Sequence, residues 1–142
     1  MRLRTLWLAF VISMATVARA TDPVRVIVHP ATNALTLERD QVSRMFLRKE
    51  SYWPDGTEVA PVDQRTASEV RLRFTGWVHR RSVSAIAYYW QQRVFSGHGA
   101  PPPERSSDRE VIEFVAETPG AIGYVSTAAD IRRVQEVKIV DE

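Results

Sequence analysis

The sequence predicts an α/β domain, and three observations lead to that prediction. Short β-branched or apolar runs alternate along the chain with longer segments in which apolar residues recur at helical spacing. Two Ser/Thr-x-x-Glu patterns, at residues 66–69 and 107–110, are typical of helix starts. The 142 residues are 44% hydrophobic and 25% charged, which fits one globular domain. We therefore expect a sheet covered by helices.

The first twenty residues differ from the rest and predict a secretory signal peptide. Arg2 and Arg4 precede the apolar stretch 6–12, and residues 18–20 form an A-x-A cleavage site. The alternative is an uncleaved membrane anchor, but the apolar stretch is shorter than the about 20 residues that a span needs. We expect a periplasmic protein in which residues 21–142 form the mature domain.

Charge and cysteine content exclude several classes of function. The chain has 19 Lys and Arg against 17 Asp and Glu; the leader contains Arg2, Arg4 and Arg19, which leaves 16 basic residues in the mature part. A nucleic-acid partner is not expected, because its footprint needs clustered positive charge. There is no cysteine, so thiol catalysis, thiolate metal sites and disulfides are excluded.

The first half of the mature chain predicts two strands and two helices. The β-branched run 24–29 predicts the first strand. Residues 37–49 predict a helix, with its N-cap at Thr36 or Glu38. The short run 59–63 predicts a buried strand. Thr66 then begins a capping box with Glu69, and one helix face follows it, made of Val70, Phe74, Trp77 and Val78.

The second half continues the alternation. Ser82 predicts the cap of a helix whose apolar stripe is Val83, Ile86, Ala87, Trp90 and Val94. The Gly- and Pro-rich stretch 95–103 predicts an irregular segment, and Ser107 predicts the next cap. Residues 121–125 predict a strand in which Gly123 marks a close approach. A helical turn over 128–132 and a strand over 134–140 complete the pattern.

The strand-to-helix turn that follows the run 59–63 is the candidate site. A helix that begins at the end of a buried strand directs its unpaired N–H groups and the positive end of its dipole into open space. Such a turn suits a small anion. The alternative from the residues alone is an ordinary capping box on a core helix.

Enzymatic and metal sites have little support. No activating context surrounds Ser68, so a Ser-His-Asp arrangement is not indicated. His29, His79 and His98 lie far apart and lack the spacing of metal ligands. We expect neither catalysis nor a cofactor.

Four segments, taken together, resemble a known family. They are Phe46-Leu47-Arg48-Lys49, Trp53-Pro54-Asp55-Gly56, Pro61-Val62-Asp63-Gln64 and Pro119-Gly120-Ala121-Ile122-Gly123-Tyr124-Val125. The chain resembles the phosphate-binding proteins of phosphate ABC transporters, and more closely a group of short periplasmic proteins built from part of that fold. The resemblance covers about residues 24–140. It implies a single lobe of the type II periplasmic binding protein-like fold, with a mixed sheet flanked by helices.

The resemblance also implies which residues contact a ligand. In the family, a strand-to-helix turn with the pattern R-x-D-G-S-G-T helps to hold a dehydrated phosphate, and this turn falls on residues 64–70. Ser68 matches a ligand-contacting type, and Arg65 lies one position from the family's Arg. Elsewhere the pattern's Arg is replaced by Gln64, its Asp by Thr66 and its final Thr by Val70. The implied ligand-binding residues are Gln64, Arg65, Thr66, Ala67, Ser68 and Val70.

Two functions are consistent with this reading. The first is an exported solute-binding protein for phosphate or a similar small oxyanion, with a membrane transporter or sensor as its partner. The missing Arg and Asp predict weak binding by a lone lobe. The second is an interaction module that has lost ligand binding and docks on a transporter, on a sensor or on itself as a homodimer.

Overall fold

The computed structural model describes residues 21–141, and the predicted signal peptide at 1–20 lies outside them. The described part contains four α-helices and one π-helical turn, Thr75–His79. The helices are α1 (Arg39–Phe46), α2 (Glu69–Phe74), α3 (Val83–Phe95) and α4 (Asp108–Glu117). The strands are β1 (Arg25–Val28), β2 (Thr36–Glu38), β3 (Ala60–Pro61), β4 (Asp63–Gln64), β5 (Glu104–Arg105), β6 (Ala121–Val125) and β7 (Gln135–Val140).

Five strands form a mixed sheet in the order β2-β7-β1-β6-β3. The central strand β1 runs antiparallel to both neighbours, with Val26 opposite Tyr124 on one side and Val137 on the other. The two outer pairs, β2 with β7 and β3 with β6, are parallel. Strands β4 and β5 form a separate parallel pair. The predicted α/β class and the mixed sheet flanked by helices are therefore confirmed.

Helices cover both faces of the sheet because successive side chains of a strand point to opposite faces. On β1, Val26 and Val28 belong to a core with α1, α2 and the π-helical turn, whereas Ile27 faces α4. On β6, Tyr124 packs on the first side and Val125 on the second. Helix α3 lies apart, and its buried residues Ile86 and Trp90 pack on Leu47.

Steric crowding explains why positions 120 and 123, in the segment 119–125, are occupied by glycine. Gly120 has φ +79, and a Cβ there would lie 2.1 Å from the carbonyl oxygen of Glu58. A Cβ at Gly123 would lie 2.8 Å from a Val111 methyl and 2.9 Å from a Val62 methyl. The predicted close approach at Gly123 is confirmed, because α4 packs directly on the backbone of β6.

Several predicted boundaries are wrong. Leu37 belongs to strand β2, which pairs with β7, so α1 starts at Arg39 after Glu38 and ends at Phe46 rather than at residue 49. The run 59–63 is divided between β3 and β4, because β4 leaves the main sheet to pair with β5. Residues 128–132 form turns, not a helical turn.

The predicted apolar stripe of α3 is only partly correct. Ile86 and Trp90 are buried, and Ser82 caps the helix by accepting a hydrogen bond from the N–H of Ala85, as predicted. Ala87 and Val94 are exposed, because the helix touches the rest of the molecule along a narrow line. The side of α3 that includes them faces solvent.

Candidate functional site

The turn between β4 and α2 is shaped by Ser68. The N–H of Ser68 donates to the carbonyl of Arg65, which closes a tight turn over residues 65–68. Ser68 is the N-cap, and its hydroxyl oxygen accepts from the N–H of Arg71 at 3.3 Å. The predicted cap Thr66 is therefore wrong: Thr66 lies inside the tight turn and is exposed. Glu69 forms an ion pair with Arg73 instead of reaching back to Thr66.

Gln64 stands at the position that the family pattern gives to Arg, and it is buried, with 3% of its surface exposed. Its amide nitrogen donates to a carboxylate oxygen of Asp108 at 2.8 Å and to the carbonyl of Tyr124 at 3.3 Å. Its amide oxygen accepts from the Ser68 hydroxyl at 2.8 Å. Gln64 and Ser68 are thus bonded to each other and hold the base of the turn.

Asp108 anchors this base from the start of α4. Its two carboxylate oxygens accept from the backbone N–H and from the hydroxyl of Ser126, at 3.2 and 2.6 Å. One of the same oxygens accepts from Gln64. A neutral amide suits this position, because its nitrogen only donates and its oxygen only accepts.

Arg71 is the buried cation beside the turn, and it was not predicted as a site residue. One terminal nitrogen donates to the backbone carbonyl of Gln64 at 2.8 Å and to Glu104 at 2.7 Å. The other lies 3.9 Å from Asp63. Within the described residues its Nε, which is buried, has no hydrogen-bond partner. The sequence offered one indication that Arg71 is buried. Arg71 precedes the buried Phe74 and Thr75 by one helical turn and therefore shares their helix face.

Asp63 and Tyr124 form a buried pair next to Arg71. The Tyr124 hydroxyl donates to Asp63 at 2.7 Å and accepts from the backbone N–H of Gln64 at 3.0 Å. Burial raises the pKa of Asp63, and the nearby Arg71 and the Tyr124 hydroxyl oppose this shift. Burial, together with the negative charge of Asp63, raises the pKa of Tyr124.

The outer surface of the turn is rich in donors. Arg65, Thr66 and Ala67 are exposed, Ser68 and Val70 are half-buried, and Gln64 lies beneath them. Within residues 21–141, the backbone N–H groups of residues 66, 67, 69 and 70 donate no hydrogen bond. The structure therefore brings the six predicted residues together in one turn, with two side chains turned inward and four N–H groups left for solvent or a ligand.

No group of three or more His, Cys, Asp or Glu side chains among the described residues is arranged to hold a metal ion. No helix of residues 21–141 combines the length and apolar character required to cross a membrane.

Comparisons with known proteins bear on the fold. No family model matches the sequence, and no curated protein matches it. Among solved structures, an ABC-type phosphate transport receptor from Vibrio cholerae aligns at a TM-score of 0.66 and 18% identity, over 83% of this chain and 46% of that one.

Two further solved structures align in the same way. A protein assigned as a phosphate ABC transporter substrate-binding protein, with bound phosphate, from Clostridium perfringens gives a TM-score of 0.62 at 18% identity, over 83% of this chain and 45% of that one. PstS from Borrelia burgdorferi gives 0.58 at 13% identity, over 83% of this chain and 47% of that one. This chain thus spans less than half the length of these proteins, and it has the fold of a partial lobe of phosphate-binding substrate-binding proteins.

Proposed function

We propose that this chain is an exported solute-binding protein that binds a small oxyanion such as phosphate at the turn 64–70. The observation that carries the proposal is a group of four backbone N–H groups, at residues 66, 67, 69 and 70, that donate no hydrogen bond to any described residue. They surround the start of α2, where the helix dipole favours negative charge. The exposed guanidinium of Arg65 and the hydroxyl of Thr66 lie on the same turn.

The six residues divide into two roles under this proposal. Arg65 and Thr66 contact the anion with their side chains, and Ala67 and Val70 contribute backbone N–H groups. Gln64 and Ser68 shape the turn from below, because their side chains are bonded to each other. The Ser68 hydroxyl reaches an anion only by releasing Gln64.

The expected affinity is low. The turn is exposed, and a hydrogen bond to a charged group nets about 1.5–3 kcal/mol even in favourable settings. An exposed Arg65 contributes less than that range, because solvent screens it. A few such bonds must offset the ordering cost of association. A lone lobe therefore binds phosphate weakly, and a transporter or sensor that covers the turn would strengthen binding.

Thermal unfolding in phosphate tests this function. A ligand that binds only the folded state raises the midpoint by an amount set by RT ln(1 + [L]/Kd). We expect a rise in phosphate, at matched ionic strength, that exceeds the rises in sulfate and chloride. Arg65→Gln should reduce it, whereas Arg133→Gln, at another exposed arginine, should leave it unchanged. Equal midpoints in all three anions would count against the proposal.

The fold and the leader together support a place for the protein outside the cytoplasm. The aligned proteins include a phosphate transport receptor and a substrate-binding protein of an ABC transporter. By analogy, we assign a membrane transporter as the partner class for this chain. Residues 1–20 would direct export to the periplasm.

A second candidate function is self-association, and helix α3 favours it. Tyr88, Val94 and Phe95 on α3 are 63%, 53% and 91% exposed, so three large apolar side chains face solvent on one helix. This chain spans less than half the length of its structural neighbours. A second copy would therefore bring the assembly to a mass comparable to theirs. Exposed apolar patches of this kind mark association sites.

Sedimentation equilibrium of the wild type and of Phe95→Ser distinguishes the two functions. Self-association through α3 predicts a dimer that Phe95→Ser weakens. Leu35→Ser, at an exposed leucine outside α3, is the matched control and should leave the dimer intact. A monomer at all concentrations would remove this candidate and leave the anion proposal untouched.

A further inference from the structure

A second polar pocket lies between α1 and the π-helical turn, away from the turn 64–70. It is a groove open to solvent with a volume of about 260 Å³, and its polar lining residues are Asp40, Ser43, Arg44, Lys49, His79 and Arg81. No residue of the turn 64–70 lines it. The volume equals roughly that of eight or nine water molecules in the liquid, at about 30 Å³ each. It therefore has room for a tetrahedral anion and a few attached atoms.

The pocket carries uncompensated positive charge. Three cationic side chains line it, and the single carboxylate, Asp40, is taken by Arg80 at 2.8 Å. Arg44 lies 3.8 Å from Glu50 and forms an ion pair with it. Among residues 21–141, Lys49 and Arg81 form no ion pair. The pocket thus presents two cations, Lys49 and Arg81, that no carboxylate of the described residues neutralises.

His79 adds a neutral donor to the same wall. Its Nδ1 lies 2.8 Å from the hydroxyl of Ser43, and within the described residues its Nε2 has no partner. When Ser43 donates to Nδ1, the ring carries its proton on Nε2. Burial, together with the positive charges of Arg71 and Arg81, lowers the pKa of His79 to about 4. The ring is therefore neutral near pH 7 and ready to donate.

The local backbone is unusual on both sides of the pocket. His79 ends a π-helical turn. This form is rare in proteins overall, and where it occurs it often belongs to a functional site. Arg80 follows in the left-handed conformation with φ 52, and Arg48, before Lys49, has φ 54. These conformations place Lys49 and Arg81 beyond two sharp chain reversals. Positive φ values such as those of Arg48 and Arg80 are uncommon for residues other than glycine.

We propose that this pocket binds the phosphate monoester group of a small molecule. Arg44 and Arg81 offer planar forks that match phosphate oxygens, Lys49 adds a point charge, and His79 donates an N–H. The dianionic charge of a monoester matches the uncompensated cations. The volume beyond the phosphate group accommodates the esterified part. This site is independent of the anion turn, and the protein would carry two anion sites of different chemistry.

The ring signals of His79 provide a direct readout. The experiment is a titration of labelled protein, expressed from its full chain, with glycerol 3-phosphate and followed by NMR at the histidine ring. Binding should shift the His79 signals in a saturable way and raise the pKa of His79, because an added negative charge favours the imidazolium. The exposed His98 provides an internal reference whose signals should stay in place.

Matched variants separate this pocket from the turn. Arg81→Gln should weaken glycerol 3-phosphate binding about tenfold, the size expected for losing one charge-assisted contact. Arg65→Gln, which weakens the proposed turn site, should leave the His79 titration unchanged. Arg133→Gln should also leave it unchanged. Because Arg81 is exposed, Arg81→Gln should keep the native fold. The backbone NMR spectrum of the same sample verifies this.

Three results would overturn the proposal. They are the absence of a saturable His79 shift, an equal loss in the Arg65 and Arg81 variants, and the same shift with chloride at equal ionic strength. Vesicles of phosphatidylcholine with and without phosphatidic acid distinguish the source of the monoester. Binding to the phosphatidic acid vesicles that Arg81→Gln abolishes would identify a lipid headgroup in this same pocket.

Discussion

The Tyr124 hydroxyl lies 2.7 Å from the carboxylate of Asp63 and donates a hydrogen bond to it. The same oxygen accepts from the backbone N–H of Gln64, so one phenol joins β6 to the start of the turn. The Tyr124 ring is stacked on Phe74, with centroids 3.8 Å apart. Core packing and the geometry of the candidate anion site therefore depend on the same side chain.

Asp63→Asn should change how stability depends on pH. The folded-state pKa of Asp63 is raised above its ordinary value of 3.8, so its contribution is fully present below pH 3.8 and is lost as the pH rises through the folded-state pKa. The free energy of unfolding of the wild type, minus that of the variant, should fall over this interval. Urea unfolding from about pH 3 to about pH 8 measures the difference. A difference that rises with pH would contradict the assigned direction.

Tyr124→Phe should destabilise the fold by about 1–3 kcal/mol, since it leaves a buried carboxylate and a buried N–H without their partner. The ring and its stacking on Phe74 remain, so the loss reports the hydrogen bonds. The loss should be larger at neutral pH than below pH 3.8, because the ionised Asp63 needs the donor more. Tyr88→Phe, at a tyrosine that is 63% exposed, is the control.

Ser68→Ala should cost about 1 kcal/mol in the free energy of unfolding, within the range of N-cap removals. Thr66→Ala should cost almost nothing, because Thr66 is exposed inside the tight turn and caps no helix. Chemical denaturation of the two variants compares the two caps directly. A larger loss of stability in Thr66→Ala than in Ser68→Ala would instead support the capping box at Thr66 that the sequence predicted.

Gly123→Ala should destabilise by about 1–3 kcal/mol, because its Cβ would overlap methyl groups of Val111 and Val62. Gly76→Ala is the matched control: Gly76 is exposed, and a Cβ there meets nothing within 4 Å. That change should stabilise by about 0.4–1 kcal/mol through the unfolded state. Thermal melts of both variants should therefore move in opposite directions.

The leader prediction is tested by mass. Protein recovered from the periplasm of expressing cells should have the mass of residues 21–142, because cleavage follows the A-x-A site. Intact mass spectrometry measures this in one step. Protein that keeps residues 1–20 and stays with the membrane would support the anchor alternative.

Local sequence patterns predicted most of the helices and strands but not which strands pair with each other. Ser82 and Ser107 were recognised as caps, since a cap depends on the next three residues alone. Leu37 was assigned to a helix because its strand exists only through pairing with β7, about a hundred positions away. In the same way, β4 is a strand only because β5 lies beside it.

The backbone form of the segment 64–70 was predicted more accurately than the contacts of its side chains. The segment 64–70 does form a strand-to-helix turn, as the motif order implied. The roles of Arg71, Asp108 and Tyr124 come from contacts across 7 to 61 positions, which one sequence does not display. The inward orientation of Gln64 likewise depends on Asp108, which belongs to another helix.

The order of strands in the sheet has a consequence for biogenesis. Strand β1 is completed only when β6 and β7 are present, and Arg25 pairs with Glu136 across 111 positions. A nascent chain that has emerged only as far as α3 lacks both neighbours of its first strand. Because non-local pairing is slow to form, the sheet around β1 is expected to assemble only after the last strand has been synthesised.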